Sequence, residues 1–187
     1  MKNNYEAPKG LSPESQALYD QYIKDGVGVI HIDKNQDLAS WAQSKGILEY
    51  IGRRRDPFNK DAGNEPRNIL NGLANPYVLA DGWGNQNDGN RKEVIIAFAM
   101  HLKGKKSIHD KAKALDGKIL ACHCQNKLGK KGQTLAGNLC HGHVLKEVAQ
   151  GRLDLGMDLG RFADRVTKLV DNKMEHVDDV EQFELEL

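Results

Sequence analysis

The sequence has few cysteines, no internal repeat and no long apolar run, and each shortage excludes a class of protein. Three cysteines in 187 residues are too few, and odd in number, for the disulfide framework of a small secreted domain. The longest apolar run, residues 94–100, is far shorter than the roughly 20 residues of a membrane span. The first ten residues have no apolar core of the secretory type, so we expect no signal peptide and a cytoplasmic protein with reduced thiols.

The composition is that of an ordinary soluble globular domain. Hydrophobic residues make up 39% and charged residues 28%, and a chain of this length can bury a substantial core. The net charge of +1 hides an asymmetry, because residues 91–131 hold 11 Lys and Arg against 3 Asp and Glu, whereas residues 175–187 hold six acids and no Lys or Arg. The basic segment favours an anionic partner such as a phosphate, a nucleotide or a nucleic acid. The alternative is that its lysines only solvate helix faces.

Apolar periodicity and turn residues divide the chain into alternating helices and strands. Ser12 and Pro13 predict the start of a helix, and Asn90 with Glu93 predicts a capping box. Strands are predicted at 26–33, 47–52 and 118–124, and helices at 12–26, 35–45, 90–102, 105–117, 141–151 and 159–170. This alternation predicts an α/β fold: a single three-layer domain with a small, mostly parallel sheet and helices on both faces.

Two segments do not follow this pattern. Residues 53–90 are rich in Gly, Asn, Asp and Pro and are too long for a simple connector, which predicts a functional or mobile loop with a short strand at 77–79. Residues 175–187 are strongly acidic, and we expect this end of the chain to be frayed.

All three cysteines and three of the seven histidines fall in one short stretch, residues 121–145. Two of the cysteines end the last predicted strand two residues apart, so they lie on one face and His123 points to the other. The third cysteine opens the next helix, and the loop between can fold back. Zinc prefers thiolates and imidazole in a tetrahedral site. The ligands predicted for it are Cys122, Cys124, Cys140 and His141, with His143 as the alternative imidazole.

A second hypothesis makes the start of this helix an anion site with a reactive thiol. The first N–H groups of a helix are unpaired and carry the positive end of its dipole, so they bind phosphate or carboxylate. They also lower the pKa of a thiol placed there. Cys140 would be the nucleophile, His141 the neighbouring acid or base, and Gly142 the residue that lets a ligand approach the backbone. The two hypotheses share Cys140 and cannot both describe it in full.

Arginines elsewhere in the sequence suggest what would bind such an anion. Arg53 follows the second predicted strand at its carboxyl end, where ligands of open α/β sheets bind. Arg91 lies in the first turn of its helix, where its charge opposes the dipole, which suggests an anion or a buried acid as its partner; the alternative is that it points into water. The alternative is a nucleic-acid-binding module, with contacts assigned to Arg54, Arg55, Trp83, Lys130 and Lys131.

Five ordered blocks of the sequence resemble the DUF4326 family, a family of small uncharacterised domains of bacteria and tailed phages. The blocks are YIGR at 50–53, NPY at 75–77, GNRKEVIIAF at 89–98, LACHC at 120–124 and CHGHVL at 140–145. Ala74, in place of a glycine, and the long loop 125–139 depart from the family pattern. The resemblance implies no reaction. It does imply a shared pocket built from Arg53, Asn75, Arg91, Cys122, Cys124, Cys140 and His141.

The resemblance also sets the expected organisation. Residues 47–150 would be a DUF4326-like core, with a helix–strand–helix extension, 1–46, packed on it. Residues 151–187 would be an amphipathic helix with an acidic tail. The C-H-G helix start is also similar to the C-H-R block of another family, DUF488, which implies a thiol and anion site.

We therefore expect a small cytoplasmic protein that binds, or as an enzyme processes, a phosphorylated or nucleotide-like ligand at the Cys/His/Arg pocket. If the chain is phage-encoded, its setting would be the host cytoplasm and its role phage nucleotide or DNA-base metabolism. One alternative is a zinc-stabilised nucleic-acid-binding module. Another is a phage protein that inhibits a host factor, although no motif identifies a protein partner.

Overall fold

The computed structural model describes residues 5–52, 72–77, 89–123 and 139–184, with side chains to residue 172. Its helices and strands, in chain order, are α1 (Pro13–Asp25), β1 (Gly28–His31), α2 (Gln36–Ser44), β2 (Leu48–Tyr50), α3 (Arg91–Gly104), α4 (His109–Lys113), β3 (Ile119–Cys122), α5 (His141–Ala149) and α6 (Leu159–Glu184). In this part of the chain, no helix is both long and apolar enough to cross a membrane.

The three strands form one sheet with β3 in the centre, in the order β1-β3-β2. Both pairings are parallel, and the register sets His31 beside Cys122 and Tyr50 beside Ala121. The carboxyl ends of all three strands therefore lie at one edge. The predicted α/β fold with a small, mostly parallel sheet is confirmed, and within the described residues the sheet is parallel throughout.

Helices cover both faces of this sheet, as expected for three layers. Successive side chains of a strand point to opposite faces, and the residues of β1 and β3 divide accordingly between two buried clusters. One cluster defines the α5 face, which contains apolar side chains of α3, α5 and α6 with those of the sheet: Val29, Leu120, Cys122, Phe98, Val144, Leu145, Phe162 and Val166. The other defines the α1 face, formed by α1, α2 and the sheet: Tyr19, Tyr22, Ile30, Leu38, Ala42, Ile119 and Ala121.

The chain crosses the sheet twice, in opposite directions. It runs from β1 through α2 to the far strand β2, and then returns through α3 to β3 in the centre. Right-handed crossovers in opposite directions place their helices on opposite faces, which agrees with α2 on the α1 face and α3 on the α5 face. After β3 the chain reaches α5. The adjacent strands β1 and β3 thus lead to opposite faces, and their carboxyl ends form the kind of switch point at which open sheets bind ligands.

Local capping explains where two helices begin. Ser12 caps α1 by accepting a hydrogen bond from the Ser15 N–H, and Pro13 is the first helical residue. At the start of α3, Asn90 accepts from the Glu93 N–H, and the Glu93 carboxylate accepts from the Asn90 N–H. The predicted start signals of both helices are confirmed.

Two helices differ from the sequence prediction. The segment predicted as one helix at 105–117 is a 3-10 turn, Lys106–Ile108, followed by the short α4. His109 Nε2 lies 3.0 Å from the carbonyl oxygens of the last turn of α3, at Leu102 and Lys103, and this contact accompanies the bend. Further on, α6 continues to Glu184, beyond the predicted end at 170 and through most of the segment expected to be frayed. The sequence after Gly160 contains no Gly or Pro that would end a helix.

Other sequence predictions are tested only in part. Of the long loop, the structure describes residues 72–77 and 89–90; Tyr77 lies in no strand, and the rest of the strand predicted there lies outside the described residues. The division into an extension, a core and a C-terminal segment stays a prediction. Although β1 belongs to the predicted extension, it pairs with β3 along its whole length.

Candidate functional site

The candidate site lies at the carboxyl edge of the sheet, where the end of β3 meets the start of α5. Cys122 is the last residue of β3, Cys140 is the N-cap of α5 and His141 is its first residue. One donor atom from each side chain lies within 4.8 Å of the other two, and each residue is at most 1% exposed. These three residues, which we call the cysteine site, could together hold a metal ion.

Alternation along β3 directs Cys122 to the α5 face, where the start of α5 lies. The Sγ atoms of Cys122 and Cys140 are 3.7 Å apart, and neither cysteine forms a disulfide. Two sulfurs bound to one tetrahedral zinc ion at about 2.3 Å would be about 3.8 Å apart. The observed spacing therefore suits two ligands of a single metal ion.

The backbone at the start of α5 fixes the position of Cys140. This residue is extended, with φ −136° and ψ 171°, and its Sγ accepts a hydrogen bond from the Gly142 N–H at 3.3 Å. The Cys140 N–H in turn donates to His143 Nδ1 at 3.1 Å, so a cysteine and a histidine form a capping box. The thiol thus replaces the Ser or Asp side chain that usually satisfies the first N–H groups of a helix.

These contacts make Cys140 an acidic thiol. The hydrogen bond with Cys122 lowers its pKa most, while burial acts in the opposite direction. A hydrogen bond and the charge of His143, together with the charge of His141, lower the pKa further, to well below the usual range of a thiol. The thiolate is the form that binds metal ions and attacks electrophiles.

His141 has one ring nitrogen engaged by the backbone. Its Nε2 lies 2.9 Å from the carbonyl oxygen of Ile51, which can only accept, so Nε2 carries a hydrogen, and in the neutral ring Nδ1 carries the lone pair. Metal-binding histidines commonly donate their second N–H to a backbone carbonyl in this way, and the bond fixes the ring. The ring also packs edge-on against Phe98, with centroids 5.2 Å apart.

Gly142 allows α5 to approach the sheet closely. A Cβ added there would lie 2.9 Å from Val29 Cγ1, 3.0 Å from Ile51 Cδ1 and 3.2 Å from Cys140 Sγ. A side chain would therefore push the start of α5 away from the strands. The predicted contact of Gly142 with a ligand stays a prediction.

Arg91 and Asn75 lie beside the start of α3. Arg91 is 8% exposed, and its Nη1 donates at 2.8 Å to the carbonyl oxygen of Leu139, the residue before Cys140. Asn75 is also buried, and its Nδ2 donates to the carbonyl oxygen of Val94, one turn along α3 from Arg91. The structure thus brings a buried guanidinium next to the cysteine segment, with Asn75 one helical turn away.

The remaining predicted site residues lie outside the part of the chain that the structure describes. They are Arg53 of the pocket, Cys124 of the zinc site, and Arg54, Arg55, Trp83, Lys130 and Lys131 of the nucleic-acid interface. Their assigned roles stay predictions.

Sequence analysis missed a second polar group at the same edge. The His123 ring has Nδ1 2.8 Å from Asp33 Oδ2, and it packs edge-on against the rings of His31 and Tyr50, with centroids 6.0 and 5.9 Å apart. A signal was present, because each of these residues lies at or just after the end of a strand. What the sequence did not show is that β1 and β3 are neighbours.

Comparison with known proteins identifies the family. A family model described as a domain of unknown function, DUF4326, matches residues 30–151, about two thirds of the chain. The match begins within β1 and ends just after α5, so it includes both polar groups at the carboxyl edge. No curated protein and no solved structure matches the chain. The chain belongs to the DUF4326 family, as its motifs indicated.

Proposed function

We propose that this member of the DUF4326 family holds a zinc ion at Cys122, Cys140 and His141 and binds a phosphorylated, nucleotide-like ligand beside it. One observation carries the proposal: two thiols and an imidazole, all buried, have donor atoms within 4.8 Å of one another at the carboxyl edge of a parallel sheet. That edge is where open α/β sheets bind their ligands.

The type of donor favours zinc over other common metal ions. Thiolate and imidazole are typical zinc ligands, whereas Mg²⁺ and Ca²⁺ are bound by oxygen. The lowered pKa of Cys140 favours its thiolate form, and a bound zinc would deprotonate the second thiol. His141 would contribute Nδ1, because its Nε2 is bonded to Ile51.

Three protein ligands leave one position of a tetrahedron for a fourth. With Cys124 in that position the site would be closed, and the zinc would only stabilise the fold. With a water or a ligand atom there the site would be open, as in zinc enzymes, where the ion polarises a bound oxygen or lowers the pKa of bound water. The two arrangements predict different effects of removing Cys124.

Positive charge around the cysteine site supports an anionic ligand. The buried guanidinium of Arg91 contacts the residue before Cys140. The helix dipole also favours anions at the start of α5. A phosphate group suits this combination.

Elemental analysis of the purified protein tests the metal. We expect about one zinc per chain, lost in Cys122→Ser and in Cys140→Ser. His101→Gln is the control, because it removes an imidazole of α3 outside the cysteine site. Cys124→Ser decides between the closed site, which would lose zinc, and the open site, which would retain it. Protein without zinc after expression in zinc-supplemented medium would refute the metal site.

Titration calorimetry with common nucleoside monophosphates and inorganic phosphate tests the ligand. At least one nucleotide should bind, and Arg91→Met should weaken it about tenfold or more, because hydrogen bonds to charged groups are among the strong ones. Arg91→Lys is the matched control, since it retains the charge. If no phosphate compound binds to the zinc-loaded protein, the ligand part of the proposal is wrong and the metal part is unaffected.

A reactive thiolate without a metal is the second candidate function, and the lowered pKa of Cys140 favours it. Cys140 would then be the nucleophile and His141 its acid or base. A thiol titration on the sample used for elemental analysis separates the two. Blocked thiols with bound zinc support the metal site, and one fast-reacting thiol without zinc supports the nucleophile. The nucleic-acid module and the host-factor inhibitor stay predictions.

A further inference from the structure

The two thiols of the cysteine site lie close enough to react with each other. We propose that Cys122 and Cys140 are a redox-active pair, which hydrogen peroxide oxidises to a disulfide with release of the bound metal. The formation of the disulfide follows from the position of the two sulfurs, whereas the release of zinc rests on the proposed function.

The two sulfur atoms meet where the end of β3 contacts the start of α5. Their Sγ atoms are 3.7 Å apart, although the residues are 18 positions apart in the chain. A disulfide bond is about 2.0 Å long, so the sulfurs would have to approach each other by about 1.7 Å. Rotation of one side chain with a small backbone shift can supply this movement.

Cys140 is the partner that can move. Cys122 is fixed in the central strand, where it pairs with His31 and its carbonyl oxygen accepts from the Ile32 N–H at 3.0 Å. Cys140 lies at the boundary of α5, and the bond that its Sγ accepts from the Gly142 N–H, at 3.3 Å, is of a weak kind. Helix ends open more readily than central strands. Oxidation therefore requires a rearrangement of the start of α5 alone.

Burial of both sulfurs selects the oxidant. Each of the two cysteines is 0% exposed, which hinders direct attack on a bulky disulfide such as oxidised glutathione. Hydrogen peroxide is little larger than water and can enter when the start of α5 opens locally. A sulfenic acid formed on either sulfur has the other sulfur beside it, so it condenses to a disulfide before a second oxidation takes place.

The reaction consumes one peroxide for each disulfide. One sulfur attacks a peroxide oxygen, the O–O bond breaks, and a sulfenic acid and a water are formed. The other sulfur then attacks the sulfenic sulfur, the S–O bond breaks as the S–S bond forms, and the oxygen leaves as a second water. The sulfurs lose two electrons, which reduce the peroxide. The two protons come from the thiols, or from solvent when the sulfurs are bound to zinc.

A disulfide and a zinc ion exclude each other at this site. Zinc is bound by thiolates, and oxidation of the pair leaves His141 as the remaining donor of the cysteine site. The oxidation state of the two sulfurs would therefore control whether the site holds metal. Because a disulfide is reversible by thiol exchange, a dithiol should restore the site.

Peroxide treatment of the purified protein tests the proposal, in parallel with a sample first treated with a chelator. In both samples the chain should lose the mass of two hydrogen atoms and retain one of its three thiols, and peptide mapping should join Cys122 to Cys140. The sample without chelator should also release about one zinc per chain to a colorimetric zinc indicator. Dithiothreitol should reverse both changes.

Cys124→Ser removes the third cysteine and should still form the disulfide. The matched control is the double variant Cys122→Ser/Cys124→Ser, in which the remaining Cys140 has no thiol to react with. Its peroxide product should gain oxygen instead of losing hydrogen.

Oxygen added to Cys122 or Cys140 of the wild type without a disulfide would overturn the redox pair, as would a disulfide to Cys124 in its place. A disulfide that forms only after chelation would overturn peroxide as the trigger of zinc release. Zinc retained without any disulfide would overturn the inference and leave the proposed function standing. A Cys122–Cys140 disulfide in protein that never held zinc would refute the metal part of the proposed function and leave the redox pair standing.

Discussion

On the α1 face of the sheet, polar side chains complete one another's hydrogen bonds, whereas on the α5 face they gather round a single point. Asp37 of α2 accepts from the Ser12 N–H at 2.7 Å and from the Ser15 hydroxyl at 2.5 Å, and Asn35 also donates to Ser15. The cysteine site instead combines two thiols, which are weak hydrogen-bonding groups, with an imidazole. Polar groups that complete each other's hydrogen bonds stabilise the fold. Metal-binding atoms collected at one point instead indicate an external partner.

Removal of metal should have the largest effect on the unfolding free energy, and this effect should come from the α5 face alone. If the cysteine site binds zinc, a chelator should lower the free energy of unfolding of the wild type by about 3 kcal/mol or more, since metal binding is coupled to folding. Asp37→Asn should lose as much on chelation as the wild type, because its hydrogen bonds belong to the other face. Urea unfolding with and without chelator measures this. Identical curves would contradict the difference between the faces.

A side chain at position 142 should have the next largest effect. Gly142→Ala should cost about 1–3 kcal/mol, because its Cβ would lie within 3.0 Å of side chains of β1 and of the segment after β2. It should also reduce bound zinc, since Cys140 and His141 move with the start of α5. Gly104→Ala is the matched control: no atom lies within 4 Å of its added Cβ, and it should be neutral or stabilising by up to about 1 kcal/mol.

Acid should destabilise the protein by protonating Asp37 on the α1 face. Burial raises the pKa of this carboxyl, but hydrogen bonds from Ser15, Ser12 and Leu38 outweigh burial and lower the pKa to about 2. The folded pKa is below that of the unfolded chain, so the stabilisation is fully present above about pH 4 and is lost as the pH falls towards 2. Asp37→Asn should lose about 1–2 kcal/mol at neutral pH and less at pH 2. Urea unfolding at both pH values measures this, and an equal loss at both would contradict the assignment.

The smallest effect on stability is expected at a contact that belongs neither to the hydrogen bonds around Asp37 nor to the cysteine site. Arg152 donates to both carboxylate oxygens of Glu147, at 2.7 and 2.6 Å, but its side chain is half exposed. Such surface ion pairs contribute about 1 kcal/mol or less. Arg152→Ala should therefore change the unfolding free energy by no more than this and leave the zinc content unchanged. A larger loss would show that the contact does more than solvate the surface.

Features of the fold that depend on near neighbours in sequence were predictable. Ser12 and Pro13, and Asn90 with Glu93, act within one helical turn, and the structure has both helix starts where these residues predict them. The length of α6 was underestimated because the acidic composition of 175–187 was given more weight than its lack of Gly and Pro. Its helical backbone meets no local obstacle as far as Glu184.

The sequence predicted which residue types form the site, but not which distant residues contact them. Cys122 and Cys140 attract notice as residues of one short stretch, and the structure brings their sulfur atoms together. The contact of His141 with Ile51, and that of His123 with Asp33, each join residues 90 positions apart. They exist because β3 lies between β1 and β2, an order that periodicity cannot reveal.

The central position of β3 also has a consequence for synthesis and folding. β1 and β2 leave the ribosome first, but they are not neighbours, and each reaches its hydrogen-bonding partner only when residues 119–122 have been made. A nascent chain that ends before β3 therefore exposes unpaired strand edges, which favour aggregation. Closure of this long-range pairing should be slow compared with helix formation. The same event aligns Cys122 with His31, so the edge that carries both polar groups is among the last parts of the sheet to be completed.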